Sequence, residues 1–288
     1  PINYSVVTNV DREHLDFYKS FKKLKNAFTN FLNRTPTFGK SFVCTDDQEL
    51  KKIVSKLKNV NFLTYGFNKN ANYQIQNTFY KKNHSTFDLK ISTPIFKKKI
   101  IKKIQVNLIG SHNILNSVAA IALCSYIGVD FKVIKKSLKE FAGIQRRMTK
   151  VLNFNGNDFF DDYAHHPTEI RSVLESLKNS NPKRKIISVF QPHRYSRLKL
   201  LKKEFSLAFK SSTKLLLCPV YSAGEKFNST YDQESFAKLI AKNSNVQVIL
   251  VKDQENLNKF FKKNLQKDDL IIGMGAGSIT KWMREIVL

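Results

Sequence analysis

A short stretch of titratable residues, DDYAHH at positions 161–166, stands directly before a proline and a helix-like run. The chain has six histidines, and His165 and His166 are adjacent here. An imidazole can accept or donate a proton near neutral pH, and a carboxylate such as that of Asp162 can hold a ligand hydroxyl. The alternative for the acid is a helix N-cap. The stretch is therefore a candidate for ligand binding and proton transfer.

Four of the nine arginines occur in two close pairs, Arg146 with Arg147 and Arg194 with Arg197. Lysine, with 40 residues, is the usual cation of this chain, so arginine indicates a need for a planar, bidentate group. An amino-acid carboxylate is a suitable partner for such a group. The alternative for Arg194 and Arg197 is an ion-pair network at a helix start, although positive charge there opposes the helix dipole.

Three further side chains have spacing that suits a nucleotide or a metal ion. His14 follows a predicted strand beside Asp11 and Glu13, where an imidazole could ligate a metal or could pair with a neighbouring acid. Asn113 and Asn116 lie one helical turn apart, so both amides can point at one ligand such as an adenine edge. Helix capping after Gly110 is the alternative, and it suits Asn113 better than Asn116.

The residues beyond about 143 alternate regularly between strand-like and helix-like runs, which predicts an α/β fold with a mostly parallel sheet. Strands are predicted at residues 150–154, 159–161, 186–190, 215–219, 246–251 and 270–273, with helices between them, one of them at residues 198–209. The DDYAHHP and QPHRYSR motifs follow two of these strands, where such sheets bind ligands. GMGAG at 273–277 could present amides to an anion or could serve tight packing.

The first 143 residues have a less regular pattern. We expect strands at residues 5–9, 41–45, 61–67, 73–80, 86–91 and 104–108. Helices are predicted at residues 15–32, from a capping box at Thr45 to 57, after Gly110, and at 131–141.

The formal charge of +26 raises the possibility of a basic nucleic-acid-binding module. The lysines are spread along the chain, with one dense run at 96–103 (FKKKIIKK), so a solvated surface is the better interpretation and no nucleic-acid partner is expected.

No apolar run is long enough to span a bilayer, and no leader sequence opens the chain, so we expect a cytoplasmic protein without membrane insertion. Three well-separated cysteines are expected to be buried free thiols.

The motifs TNVDREHLDFY, GSHNILNSVAAIA, FAGIQRRM, DDYAHHPTEI, FQPHRYSR, PVYSAGE and GMGAGSI occur in this order. Together they resemble the Mur ligases, in particular the member that adds L-alanine to UDP-N-acetylmuramate. The resemblance implies the latter part of a central ATP-binding domain (1–143), followed by a Rossmann-like C-terminal domain (144–288). The family's N-terminal domain and P-loop do not occur in these residues, since FGKS at 38–41 lacks the earlier glycine. We therefore expect a missing N-terminal half and no activity of this chain alone.

The resemblance also implies a reaction and a set of residue roles. The expected substrates are UDP-N-acetylmuramate and L-alanine, the expected cofactors are ATP and Mg²⁺, and the expected intermediate is an acyl phosphate. By resemblance, His14 binds the metal; Asn113, Asn116, Arg147 and Asp162 bind ATP; Tyr163, His165, Arg194 and Arg197 bind the amino acid; and His165 and Arg147 are catalytic. Three alternatives stay open: a ligase that recycles murein tripeptide, a basic nucleic-acid-binding module, and an inactive folded remnant.

Overall fold

The computed structural model describes residues 2–58, 60–81, 83–226 and 231–288. These divide into two compact units, residues 1–142 and 143–288. Each unit has its own hydrophobic core, the first centred on residues such as Phe42, Tyr65 and Leu89 and the second on residues such as Phe159, Val189 and Ile271. None of the helices within the described ranges combines the length and apolarity needed to cross a membrane.

The first unit contains one sheet with the strand order β1-β2-β3-β4-β5-β6 in its described residues. The strands are β1 (Tyr4–Val7), β2 (Lys40–Cys44), β3 (Phe62–Gly66), β4 (Tyr73–Tyr80), β5 (Ser85–Ile91) and β6 (Lys99–Val106). The helices are α1 (Leu15–Tyr18), α2 (Phe21–Asn33), α3 (Gln48–Val54), α4 (Ser111–Tyr126) and α5 (Phe131–Glu140). Strands β1 to β4 are parallel, whereas β5 and β6 each run antiparallel to the preceding strand.

The second unit contains a sheet with the order β11-β10-β9-β12-β8-β7. Its strands are β7 (Thr149–Phe154), β8 (Asn157–Asp162), β9 (Ile186–Phe190), β10 (Lys214–Leu217), β11 (Gln247–Leu250) and β12 (Leu270–Met274). Its helices are α6 (Pro167–Ser180), α7 (Tyr195–Leu200), α8 (Lys202–Ser206), α9 (Gln233–Ser244), α10 (Gln254–Asn264) and α11 (Ile279–Arg284). Only the pairing of β7 with β8 is antiparallel among these described strands. The predicted α/β fold with a mostly parallel sheet is confirmed.

Four local predictions need correction. The predicted helix at 15–32 is broken at Lys19, which has a φ of 63°, and Ser20 caps a new helix. The helix predicted at 198–209 begins at Tyr195 and is broken at Leu201, whose φ of −116° and ψ of 24° are not helical. The cap near residue 45 is Asp47, whose carboxylate accepts the Leu50 N–H at 2.7 Å.

The fourth correction concerns the last strand of the first unit. β6 begins at Lys99 and not at Ile104, because Lys99 pairs with Ile91 at the far end of β5. The dense lysine run is therefore largely part of an edge strand. Lysine is a common residue on such strands, since its charge discourages pairing with another chain.

Candidate functional site

Asp162, at the end of β8, organises the turn that carries the DDYAHH motif. Its side chain is buried, and its two oxygens accept the Met148 N–H at 2.8 Å and the Ala164 N–H at 2.7 Å. Burial raises the pKa of Asp162 to about 6, although these backbone hydrogen bonds oppose the rise. Asp162 thus ties residues 146–148 to the turn; its predicted role as an ATP ligand stays a prediction.

His166 caps helix α6. Its Nδ1 accepts the Thr168 N–H at 3.4 Å, while Glu169 Oε2 accepts the backbone N–H groups of His165 at 3.1 Å and His166 at 3.3 Å. Such a reciprocal arrangement is a capping box, with histidine in the place usually taken by serine or threonine. The proline that follows favours a helix start, so the local sequence explains the position of His166.

His165 points its ring toward a cluster of aromatic and basic side chains. Its ring centroid lies 5.0 Å from that of Tyr163 and 5.7 Å from that of His193. Its Nδ1 lies 2.9 Å from the Tyr163 carbonyl oxygen and 3.6 Å from Glu169 Oε2. Both oxygens act as acceptors, so Nδ1 carries the proton and Nε2 of a neutral ring keeps its lone pair.

His193 has the opposite arrangement of its ring nitrogens. Its Nδ1 lies 3.2 Å from an Arg197 nitrogen, which can only donate, so Nδ1 is the acceptor. The ring also stacks on Tyr221, with centroids 5.7 Å apart and planes 17° apart. Burial, followed by the charges of Arg197, His165 and Arg194, lowers the pKa of His193 to about 4. At neutral pH His193 is therefore uncharged and presents an Nε2–H donor.

Arg194 occupies a strained position at the start of α7. Its φ is 69°, an uncommon value for a residue with a side chain, and its N–H donates to the Tyr221 carbonyl at 2.9 Å. Glu225 holds the same helix start by accepting the Ser196 N–H at 3.1 Å and the Ser196 hydroxyl. Burial alone would raise the pKa of Glu225, but hydrogen bonds from Ser196 and the Tyr195 backbone lower it overall.

Tyr221 and Glu225 were missed as site residues by sequence reasoning. Both belong to the PVYSAGE motif that follows β10, and the motif was the available signal. Their partners lie in the QPHRYSR motif after β9, the neighbouring parallel strand. The carboxyl ends of adjacent parallel strands meet at one edge of a sheet, which explains the contact.

The two arginines of the predicted pair, Arg146 and Arg147, differ in their contacts and in their exposure. The Arg146 guanidinium lies 4.4 Å from the Tyr163 ring centroid and donates to the Gly275 carbonyl at 2.9 Å. The Arg147 guanidinium lies 5.8 Å from the same ring and 3.5 Å from Glu169 Oε1, with about half of its side chain, 49%, exposed. Arg146 is thus tied into the unit by a cation–π contact and a backbone bond, whereas Arg147 remains accessible.

The glycine-rich segment after β12 serves close packing. A Cβ atom at Gly273 would lie 2.2 Å from Met283 Cγ, and one at Gly277 would lie 2.5 Å from Tyr221 Cγ. Of the two interpretations of GMGAG, the geometry favours tight packing, because only glycine lets the Tyr221 ring approach the segment this closely.

The remaining predicted residues lie in the first unit. His14 is exposed, has a φ of 55° and stands at the start of the four-residue helix α1. The described residues contain no group of three or more His, Cys, Asp or Glu side chains that could hold a metal ion. The role of His14 as a metal ligand stays a prediction.

Asn113 and Asn116 stand in the first turns of α4. The Asn113 amide donates to the Ile109 carbonyl at 2.8 Å and caps no backbone N–H of α4, whose N-cap is Gly110, whereas Asn116 is exposed. Asn116 is thus accessible to a nucleotide, and Asn113 offers its amide oxygen. The predicted residues fall into two groups, one in each unit, and the second unit brings Tyr163, His165, His193 and Arg197 together.

Comparisons with known proteins agree with the two-unit organisation. The Mur ligase middle domain matches residues 1–124, and the Mur ligase, glutamate ligase domain matches residues 146–277. A UDP-N-acetylmuramate–L-alanine ligase of Pelagibacter ubique is 49% identical over 286 residues, which cover 99% of this chain and 62% of that protein. The corresponding ligase of Aquifex aeolicus is 37% identical, with 98% and 60% covered.

A solved structure shows the same fold. The UDP-N-acetylmuramate–alanine ligase of Thermotoga maritima has a TM-score of 0.76 at 23% identity, covering 99% of this chain and 58% of that one. The chain thus spans about three fifths of the length of the curated relatives it matches. The two domain matches and the extended identity to these relatives establish that the chain belongs to the Mur ligase family.

Proposed function

We propose that this chain forms the ATP-binding and amino-acid-binding portion of an enzyme that ligates L-alanine to UDP-N-acetylmuramate in peptidoglycan precursor synthesis. The proposal is supported by the curated relatives, which are named for this reaction and share up to 49% identity with almost the whole chain. A cytoplasmic location follows from the proposal, since ATP and nucleotide-linked sugars are found there.

In the proposed reaction ATP transfers its γ-phosphoryl group to the muramate carboxylate and leaves as ADP. The amine of L-alanine then attacks the carbonyl carbon of the acyl phosphate, the amide C–N bond forms, and the C–O bond to phosphate breaks. The amine must lose protons during this step, and inorganic phosphate is the leaving group. The protein has to hold the amino acid by its carboxylate and orient its nitrogen.

The observation that carries the proposal is the meeting of Tyr163, His165, His193 and Arg197 at one edge of the second sheet. Arg194 and Arg197 supply guanidinium groups for the alanine carboxylate. His165 keeps an Nε2 lone pair that can accept a proton from the amine, because Nδ1 is occupied by the Tyr163 carbonyl. Neutral His193 offers an Nε2–H donor beside it without adding repulsive charge.

For ATP, the accessible candidates are Asn116 in the first unit and Arg147 in the second. The exposed Asn116 amide suits the adenine edge, and the exposed Arg147 guanidinium suits phosphate oxygens. Asp162, the other ATP-binding candidate in the second unit, also accepts the Met148 N–H next to Arg147 and so positions that arginine.

The test uses a chimera in which these 288 residues replace the matching part of the Pelagibacter ubique relative. We expect the chimera to release phosphate from ATP only when both UDP-N-acetylmuramate and L-alanine are present. His165→Ala should lower kcat by ~10²–10⁴, the usual contribution of a positioned proton-transfer group. His84→Ala is the matched control, because His84 lies outside every motif.

Two outcomes would contradict the proposal. Turnover with murein tripeptide in place of alanine would assign the chain to the peptide-recycling branch. If the chimera folds but releases no phosphate in response to alanine, the chain could be assigned only a binding role and not a part in the ligase reaction. The 288-residue chain alone, which contains no P-loop among its residues, serves as the blank.

A further inference from the structure

The first unit has a strongly basic surface that contains none of the residues assigned to the proposed reaction. It consists of strand β6 with its preceding loop and of helix α5, and we call it the β6–α5 surface. Its nine lysines are Lys97, Lys98, Lys99, Lys102, Lys103, Lys132, Lys135, Lys136 and Lys139. All except Lys135, which is half-buried, are exposed.

Contacts along their length place the two elements side by side. The Lys99 ammonium lies 4.5 Å from the Phe131 ring centroid, at the start of both elements. Further along, Lys135 Nζ donates to the Lys102 carbonyl at 2.9 Å. The lysines of β6 and α5 therefore belong to one continuous surface.

The acids that contact this surface, Asp88, Asp130 and Glu140, offset only part of the charge of its nine lysines. Asp88 accepts the Lys103 N–H at 2.8 Å, and Asp130 accepts the Lys132 N–H at 2.7 Å as the cap of α5. Glu140 lies 4.0 Å from Lys136, a distance at which an exposed pair contributes little. The surface thus carries a large local excess of positive charge.

Exposed aliphatic side chains lie among these lysines. Ile95 is 56% exposed, Ile100 51% and Val133 55%. Lysines on an edge strand discourage pairing with another chain, but that role gives no reason to expose isoleucine and valine beside them. Lysines that surround exposed aliphatic groups are typical of surfaces that rest on the headgroup region of a bilayer, where the groups enter the acyl boundary.

We propose that the β6–α5 surface binds the anionic face of a phospholipid membrane peripherally. Charge complementarity provides the attraction, since each lysine near an anionic bilayer strengthens binding several-fold. A nucleic-acid partner is less well matched, because residues 95–103 and 130–140 contain no arginine and their aromatic residues Phe96 and Phe131 pack against the core. The inference does not depend on the proposed ligase activity.

The test is co-sedimentation of the 288-residue chain with vesicles of phosphatidylcholine alone and of phosphatidylcholine with phosphatidylglycerol. We expect binding only to the anionic vesicles, weakened by salt. The lysine variant carries K97Q, K98Q, K102Q and K103Q and should bind at least ~100-fold more weakly, since each lysine contributes about fivefold. The matched control carries four exposed substitutions in the second unit, K252Q, K262Q, K263Q and K267Q.

A second variant, I100S with V133S, keeps the charge and should still bind several-fold more weakly than the unchanged chain. Circular dichroism of each variant checks that it is folded. Equal loss in the lysine variant and its control would overturn the proposal, because net charge alone would then explain binding. Tighter binding to RNA or duplex DNA than to anionic vesicles at the same salt concentration, lost in the lysine variant, would assign the surface to nucleic acid.

Discussion

Two histidines in the second unit differ in their hydrogen-bonding partners, and this difference sets their chemistry. His165 directs Nδ1 at the Tyr163 carbonyl, whereas His193 directs Nδ1 at the Arg197 guanidinium. A carbonyl requires a protonated nitrogen and a guanidinium requires an unprotonated one. One ring is therefore suited to accept a proton at Nε2, and the other to donate a hydrogen bond there.

The pH behaviour of His193 tests this assignment. Its folded pKa of about 4 lies below the ordinary value of 6.5, so the folded chain binds fewer protons than the unfolded chain between these values. The contribution to stability is full above pH 6.5 and is lost as the pH falls toward 4. We expect the imidazole signal of His193, identified by its absence in His193→Asn, to titrate near pH 4 in an NMR titration. Titration near 6.5 would show that the ring is neither buried nor held beside the Arg197 guanidinium.

At the scale of the element, the start of α7 is held from outside the helix. Arg194 adopts a φ of 69°, and the Ser196 N–H and hydroxyl are both taken by Glu225. Strained backbone of this kind persists where surrounding contacts determine it. Glu225 thus keeps Arg194 and Arg197 in place without contacting the amino acid in the proposed site.

Replacement of Glu225 should consequently weaken the binding of alanine and not the binding of ATP. In the chimera, Glu225→Ala should raise the KM for alanine about tenfold, a typical cost of losing a charge-assisted hydrogen bond, and leave the KM for ATP unchanged. Glu225→Gln keeps one acceptor oxygen and should recover part of the loss. Steady-state kinetics with each substrate varied in turn make the measurement. A parallel rise in both KM values would indicate general loosening of the unit.

The loop after β12 provides a second prediction at this scale. Gly275 has a φ of 151°, and a Cβ there would lie 2.8 Å from the Gln191 carbonyl oxygen. Gly275→Ala should lower the free energy of unfolding by about 2–4 kcal/mol, through backbone strain and a steric clash together. Gly224→Ala is the matched control, because Gly224 has a φ of 86° but open space around it, and should cost only about 1–2 kcal/mol. Urea denaturation of both variants compares them; equal losses would mean that packing against Gln191 is unimportant.

For the whole molecule, the two units have separate sheets and separate cores. All six described strands of the second sheet lie within residues 149–274, so that sheet takes no strand from the first unit. A domain with a complete core of its own can fold alone.

We therefore expect a polypeptide of residues 143–288 to fold without the first unit. It should show mixed helix and strand content by circular dichroism and a single cooperative thermal transition. Residues 1–142, prepared in the same way, are the companion measurement. An unfolded 143–288 polypeptide would mean that contacts with the rest of the chain are needed for its core.

Local patterns in the sequence were sufficient for the fold class and the order of most elements. The span 73–80 was predicted as a strand and is β4, and the alternation beyond residue 143 predicted the mostly parallel sheet. Such patterns record which face of an element is buried, and burial repeats at the period of the helix or strand. The motifs likewise identified the turns after β8 and β9 as the candidate site, and the family match confirms the resemblance.

Tertiary structure decided the contacts within those turns. Glu225 meets Ser196 across 29 residues, and Arg146 meets Gly275 across 129. These pairs form because β10 lies beside β9 and because β12 enters the sheet between β9 and β8, an order that neighbouring residues do not encode. The proton positions of His165 and His193 follow from the same contacts. Periodicity along a chain reports burial, whereas the partner of a buried polar atom depends on which distant strand packs beside it.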